Sequence, residues 1–399
     1  MTQNPEKYDV AVAGGGMVGM TLALALAREN LHVAVIDPVP AEAQAETTFD
    51  GRVSAIALTS KRLLTALGAW QYMEPHAEPI LDIRVSDGDS PFFLHYDHHE
   101  VGAGPFGWIV ENRYIRTGLA HAARTLPIDR IQGETQGWQP GMFTLKDGRT
   151  IEAKLLIGAD GKQSQVREFA GIRVAEACYR QIAIVCTIAH EKPHQGLAQE
   201  RFLPAGPFAV LPMQNNQSSL VWTEAAEHAR GFLALPEAEF IQEITERVGD
   251  YLGALRTVGP RFSYPLSVSH AADYTAPRLA LVGDAAHAIH PIAGQGVNLG
   301  FRDVAALADI VARHAHAGRD IGSDEVLKAY QRWRRFDNLA MLAVTDGLNR
   351  LFSTGAPPLV LARGLGLWAI SHLPPAKRFF MRHAMGLTGE LPPLLREAA

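Results

Sequence analysis

Residues 283–300 read GDAAHAIHPIAGQGVNLG, and what flanks them decides the fold. The apolar run Leu279–Val282 precedes them and reads as a short buried strand. Phe301–His314 follows, with Val304, Leu307, Ala308 and Val311 at helical spacing. The stretch is therefore a strand–loop–helix passage with a glycine-rich loop. Gly294, Gly296 and Gly300 permit close backbone approach to a ligand. Free N–H groups at the start of the following helix favour an anionic or electron-rich partner. Gly283 opens the loop, and Asp284 ends the strand, where a carboxylate can accept from polyol or ribose hydroxyls. The plain alternative is a glycine-rich turn before a packing helix. GDAAH, HP and GQGVNLG together in one passage weigh against it.

The N-terminus carries a second such passage. Tyr8–Ala13 reads as a strand, Gly14-Gly15-Gly16-Met17-Val18-Gly19 matches G-x-G-x-x-G, and Met17–Asn30 is strongly helix-forming. Leu31–Ile36 is a second strand ended by Asp37. Each part has a task in a dinucleotide site. Gly14 makes the tight turn, Gly16 admits the pyrophosphate, Gly19 packs helix on strand, and Asp37 meets the ribose hydroxyls. The motif alone does not choose between FAD and NAD. The loop at 283–300 does, since an ordinary NAD dehydrogenase has no such segment far downstream.

Two further stretches complete a set. Asp50–Ser60 reads DGRVSAIALTS, and Gly158–Arg167 reads GADGKQSQVR. With GGGMVG and GDAAHAIHPIAGQG these four ordered motifs resemble the class A flavoprotein aromatic hydroxylases, most closely the ubiquinone-biosynthesis branch. The resemblance covers most of the chain. It implies an α/β fold: a Rossmann-like FAD-binding domain, an inserted mostly antiparallel β-sheet substrate domain, and a C-terminal helical segment. The implied boundaries are 1–80, 101–175 and 266–345 for the cofactor domain, 81–100 and 176–265 for the sheet, and 346–399 for the tail.

The resemblance also implies residue roles. Asp284 would lie on the ribityl chain, and Pro291 through Asn298 along the isoalloxazine edge. Pro291, Gly294, Gln295 and Gly296 are the candidate catalytic positions, with Val297 and Asn298 as further cofactor contacts beside Gly14, Gly16, Met17, Val18, Gly19, Asp37, Gly283 and Asp284. Arg52 would sit close to FAD; taken alone it reads as readily as a solvated surface arginine. Ser60 is a fair N-cap for Lys61–Leu67. Asn112 is assigned a cofactor contact, with Arg113 as substitute. Asp160 and Gly161, read alone, are a turn capping a helix; the resemblance gives them a role at the FAD site.

Short runs at Gln181–His190, Glu200–Phe202, Ala209–Leu211 and Ser219–Thr223, punctuated by Pro and Asn-Asn, suggest an antiparallel sheet. Phe208, Val210, Leu220 and Trp222 alternate with their neighbours. They are either core residues or the lining of a substrate cavity. Ala225–Leu252 reads as mostly helical. From Gly347 to Gly389 there is no Asp or Glu, while Arg350, Arg363, Lys377, Arg378 and Arg382 lie among apolar runs. Such a segment either rests on an anionic membrane surface or packs as a helical pair with its charges solvated. For the first reading, Arg363, Lys377, Arg378 and Arg382 are the expected contacts.

Bulk properties narrow the classes. The chain has 399 residues, 47% hydrophobic, with a formal net charge of −5, enough for a large core and against a nucleic-acid binder driven by charge. Met1–Tyr8 is polar, so no secretory signal is expected, and no apolar stretch is long enough to span a bilayer. Cys178 and Cys186, if on one strand, stand roughly 26 Å apart by strand rise, too far to bridge. They read as reduced, small and buried in a cytosolic protein. No Cys/His cluster has metal-ligand spacing.

The expected activity is hydroxylation of the aromatic ring of a polyprenylated phenol or quinol in ubiquinone biosynthesis. NAD(P)H and O₂ serve as co-substrates, through a flavin C4a-hydroperoxide. A complex with other quinone-biosynthesis proteins and peripheral contact with the cytoplasmic face of the membrane are further expectations. The rivals are a flavoprotein acting on another aromatic, a prenyl-chain reductase and a non-catalytic flavoprotein scaffold. A flavin halogenase would share the fold, but no W-x-W pair occurs.

Overall fold

A computed structural model of the chain describes residues 6–40, 49–88, 90–290, 294, 296–352 and 357–397. Its first sheet includes the strands read from the sequence at Tyr8–Ala13, Leu31–Ile36 and Leu279–Val282. Glu6–Ala13 pairs in parallel with Val33–Asp37 on one side and Thr150–Gly158 on the other. Ile128–Gln132 and Leu279–Leu281 extend the parallel set outward. Their central segments, Val10–Ala13, Val33–Ile36, Leu155–Ile157 and Leu279–Leu281, are apolar and buried because both faces are covered there. The helix Met17–Ala27 is buried from Gly19 to Ala27 and has no polar face. It lies between the sheet and the helix Gly296–His316. That burial explains why its sequence is a run of Ala and Leu rather than a periodic pattern.

The second sheet has eight strands, in the order 287–288, 255–271, 174–190, 217–225, 206–213, 197–203, 82–87, 93–97. All neighbours are antiparallel except Leu197–Leu203 with Asp82–Asp87. One face is covered by the helices Ala226–Ala234 and Glu237–Val248, whose Ala229, Phe240, Ile244 and Val248 pack on it. The other face meets the long helix Asp324–Phe352: Tyr179 bonds to Asp346, and Phe202 stacks on Phe352 at 4.1 Å. The helices Pro357–His372 and Pro374–Ala384 complete that side. A three-stranded sheet, Val53–Ala57, Glu78–Ile80 and Gly107–Glu111, bridges the two.

The strand Leu255–Ala271 has no counterpart in the sequence reading, and the boundary drawn at residue 266 falls inside it. Cys178 and Cys186 do share the strand Val174–His190, but Cys178 is exposed, a correction to the buried pair expected.

Candidate functional site

The loop Gly14–Gly16 joins the first strand to the helix Met17–Ala27. Gly14 has φ +105°, and a Cβ there would stand 2.3 Å from the Ala159 carbonyl oxygen. A Cβ on Gly19 would stand 2.0 Å from the Gly14 carbonyl oxygen. Both are glycine because the chain packs against them. Gly16 differs: a Cβ there would meet nothing within 4 Å. Arg116 and Arg130 line a recess with Gly15, Gly16 and Met17. Two guanidinium groups beside open N–H groups at a helix start suit a pyrophosphate. Asp37 closes the unit, its Oδ2 accepting from the Gly15 N–H at 2.6 Å and its Oδ1 from that of Val39 at 2.8 Å.

The second glycine loop packs directly on this one through Gly283 and Gly300. Val18 fills the space over Gly283 and Gly300, where a Cβ would approach its methyl carbons to 3.2 and 2.6 Å. Asp284 stands exposed between buried Gly283 and Ala285, so its carboxylate faces an open cleft walled by protein. Confinement there pushes its pKa up, against the pull of His287 and Lys162. Across the cleft Asp160 accepts from the Val166 N–H through Oδ2, at 3.0 Å. Its Oδ1 is buried without a partner among the described residues. Arg167 holds the two loops together, donating to the Ala285 and Lys162 carbonyls at 2.9 and 3.0 Å.

Beneath the second loop lies a fully buried carboxylate. Asp303 accepts from the Gly283 N–H at 3.0 Å, His287 Nε2 at 2.5 Å, Arg334 Nε at 2.8 Å and Asn338 Nδ2 at 3.2 Å. Burial alone would raise its pKa; His287 and Arg334 reverse this and hold it well below the ordinary carboxylate range. No motif in the sequence marks this cluster. Its one local signal is the pair His287 and Asp303 on either side of the loop.

Several expected site residues also tie neighbouring segments together. The Asn298 amide accepts from the Ala57 N–H and the Ser60 hydroxyl and donates to the Ala55 carbonyl at 2.8 Å, clamping the loop to the DGRVSAIALTS segment. Ser60 is not an N-cap, a correction: the helix runs Leu58–Ala66 and Ser60 lies within it, its hydroxyl turned to Asn298. Asn112 is buried and accepts from the Ser54 hydroxyl at 2.7 Å. Arg113 turns to Glu111, at 2.7 Å. Arg52 is half exposed, paired with Asp50 at 2.8 Å and set over the Tyr264 ring. Gly294 has φ +62° and sits against Ala55; Gly296 begins its helix with open space where a Cβ would be. Pro291 and Gln295 lie outside the described residues.

The apolar expectation needs a correction. Phe208, Val210, Leu220 and Trp222 are 1–2% exposed and packed under the two helices of 226–248, on the sheet face away from the cleft. The cleft-side face instead carries Tyr179, Val221, Phe262 and Tyr264, all partly buried. Farther along that side lies a cavity of about 280 Å³, with Ala55, Val85, Phe202, Leu211, Leu348 and Phe380 among its lining. Ala55 stands over Gly294, where a Cβ would lie 3.0 Å from its own, so the cavity adjoins the second loop. Asp97, His98 and His99 each bring a potential ligand atom within 4.8 Å of the others, but the Asp97 carboxylate is already bonded to His99.

An open glycine at a helix start, a half-buried Asp160 with one oxygen unpaired among the described residues and a cleft-facing Asp284 fit FAD, and the fold is that of a flavoprotein monooxygenase. The FAD binding domain family matches residues 7–343. The ubiquinone hydroxylase UbiL of Rhodospirillum rubrum is 50% identical, over 97% of this chain and 92% of its own. The 3-demethoxyubiquinol 3-hydroxylase of Escherichia coli K12 is 37% identical, over 97% and 100%. The crystal structure of p-nitrophenol 4-monooxygenase PnpA from Pseudomonas putida DLL-E4 superposes with a TM-score of 0.78 at 19% identity, covering 96% of this chain and 99% of that one, a likeness of fold. The chain belongs to the ubiquinone-biosynthesis hydroxylases, FAD-dependent aromatic-ring monooxygenases.

Proposed function

We propose that this protein hydroxylates the ring of a polyprenylated phenol or quinol. In balance, one ring C–H, O₂, NAD(P)H and a proton give C–OH, water and NAD(P)⁺. The observation that carries the substrate class is the apolar cavity adjoining the second glycine loop, which suits a prenyl tail with its ring held at the cleft. Bound FAD supplies the redox and oxygen chemistry. The chain's own residues bind, orient and exclude water. Gly16, Arg116 and Arg130 hold the pyrophosphate, and Asp37 and Asp284 take sugar and ribityl hydroxyls. Asp160 accepts from the cofactor through its free Oδ1. Gly294 and Gly296 border the reacting edge, and helices 357–384 shield the cavity from water. Segments 82–97 and 174–271 act as the substrate-binding unit on the cofactor-binding body. With a short-chain prenylphenol, NAD(P)H oxidation should rise and the product should gain one atom of ¹⁸O from ¹⁸O₂. Phenol-independent oxidation with no labelled product would overturn this reading and favour a prenyl-chain reductase or a scaffold.

The same reading includes contact with a bilayer, where such a substrate resides. Among the described residues no helix is long and apolar enough to cross a membrane. Leu348 and Phe380, which line the cavity, are 36% and 41% exposed, and Val344, Trp368, Leu373 and Phe379 are also exposed. Two of the four expected cationic contacts are corrected by the structure. Arg363 is buried against Asp87 at 2.9 Å, and Lys377 pairs with Glu100 at 2.6 Å. Arg378 and Arg382 remain exposed. At about 1 kcal/mol per basic residue, changing both to Gln should weaken binding to phosphatidylglycerol vesicles roughly thirty-fold. Flotation at low salt checks it. If wild type does not float, or both proteins float equally, substrate is delivered by a partner protein instead.

A further inference from the structure

His290 closes the strand side of the second glycine loop, and nothing in the activity described so far uses it. It is 0% exposed, and neither ring nitrogen has a partner among the described residues. A buried imidazole with both nitrogens unsatisfied is costly, since each lost hydrogen bond leaves its desolvation uncompensated. The ring packs edge-on against Tyr179 at 5.1 Å. Tyr179 donates to Asp346 Oδ1 at 2.6 Å, and Asp346 Oδ2 pairs with Arg350 at 2.8 Å at the surface. Beside this line, Gln181 accepts from Asn349 Nδ2 at 3.3 Å and donates to the Ala205 carbonyl. Asn349 Oδ1 and Thr223 Oγ1 are buried without partners too. Asn349 lies one turn from Asp346, and its neighbours Leu348 and Phe352 line the apolar cavity. A polar, under-satisfied patch thus adjoins an apolar one along a single helix.

We infer that His290 contacts the oxygen substituent of the substrate ring, with Tyr179 and Asp346 as positioning residues that fix the imidazole. The inference rests on the proposed function and names the group that recognises the head of the substrate. Burial pushes the His290 pKa down to about 4, against the pull of Asp346. The ring is therefore neutral at working pH, with one N–H donor and one acceptor nitrogen. Tyr179 supplies the flat wall, and its short bond to Asp346 fixes that wall's angle.

The test compares a short-chain 2-prenylphenol with its O-methyl ether on the FAD-loaded protein, read by perturbation of the flavin absorbance. Wild type should prefer the phenol roughly ten-fold, the worth of one well-made buried hydrogen bond. His290→Phe should lose that preference while keeping FAD, and His290→Gln should keep most of it. An unchanged preference in His290→Phe overturns the inference. Should His290→Phe fail to load FAD, ¹⁵N-histidine spectra of wild type decide, with the His290 signal assigned by its loss in His290→Gln. A ring-nitrogen shift with the phenol and not the ether supports the contact; equal spectra overturn it. Failure of the functional reading looks different: wild type would show no phenol-dependent NAD(P)H oxidation whatever His290 does.

Discussion

Gly16→Val should yield a folded protein that no longer retains FAD. The three fingerprint glycines separate by what each would meet. Gly14 and Gly19 are held to glycine by backbone oxygens at 2.3 and 2.0 Å, so substituting either disturbs the fold. Gly16 has φ −68° and ψ −175°, which any residue adopts, and no atom within 4 Å of a Cβ. The protein alone therefore tolerates a side chain there, and the requirement for glycine comes from the ligand. Apo-protein stability should change by less than about 1 kcal/mol. Losing two charge-assisted hydrogen bonds to the pyrophosphate costs about 3 kcal/mol, so FAD affinity should fall more than roughly a hundred-fold. Urea denaturation of the apo-protein and the flavin absorbance of the purified variant measure the two effects. Normal flavin occupancy in this variant would place the pyrophosphate elsewhere.

The same distinction shows what the sequence makes legible. Motifs whose parts lie within about thirty residues, such as the βαβ unit, appear with the predicted order, because hydrogen bonding and close packing there are local. Period-two alternation at Phe208 and Val210 also holds, but alternation says only that two faces exist. The helices at 226–248 follow their strand directly and fold back on it, so the bulkier set fills that layer and the cleft receives the other. The strand Leu255–Ala271 is readable from Phe262, Tyr264, Leu266, Val268 and His270 in alternation, although Gly259, Pro260 and Pro265 within it mask the signal. Arg363 was not readable at all. Its partner Asp87 is 276 residues away, and no local pattern announces an ion pair formed only by tertiary packing. Arg363 and Arg378 look alike in sequence and differ entirely in use.

Asp303→Asn should be the most damaging substitution outside the glycine loops. Its four donors come from the second loop (Gly283 and His287) and the long helix (Arg334 and Asn338), so one carboxylate sets their relative position. Asparagine has the same shape but only one acceptor oxygen. Its amide N–H groups would face either Arg334 or the Gly283 and His287 pair, donor against donor. Arg334, 2% exposed, would lose its buried counter-charge and keep only Asp337, whose side chain is 31% exposed. Breaking a buried pair this way costs about 3–5 kcal/mol, a large share of the roughly 5–15 kcal/mol that holds a domain. Asp337→Asn removes the half-exposed partner of the same arginine and should cost at most about 1 kcal/mol. The pH dependence separates charge from shape. Because the folded pKa of Asp303 is depressed, its contribution is present above the ordinary carboxylate pKa of about 4 and fades as pH falls below it. The gap between wild type and Asp303→Asn in denaturant midpoints should therefore be constant from about pH 5 to 8 and narrow in acid. A small, pH-independent gap equal to that of Asp337→Asn would mean that the loop is held by packing of Val18 on Gly283 and Gly300 rather than by this carboxylate.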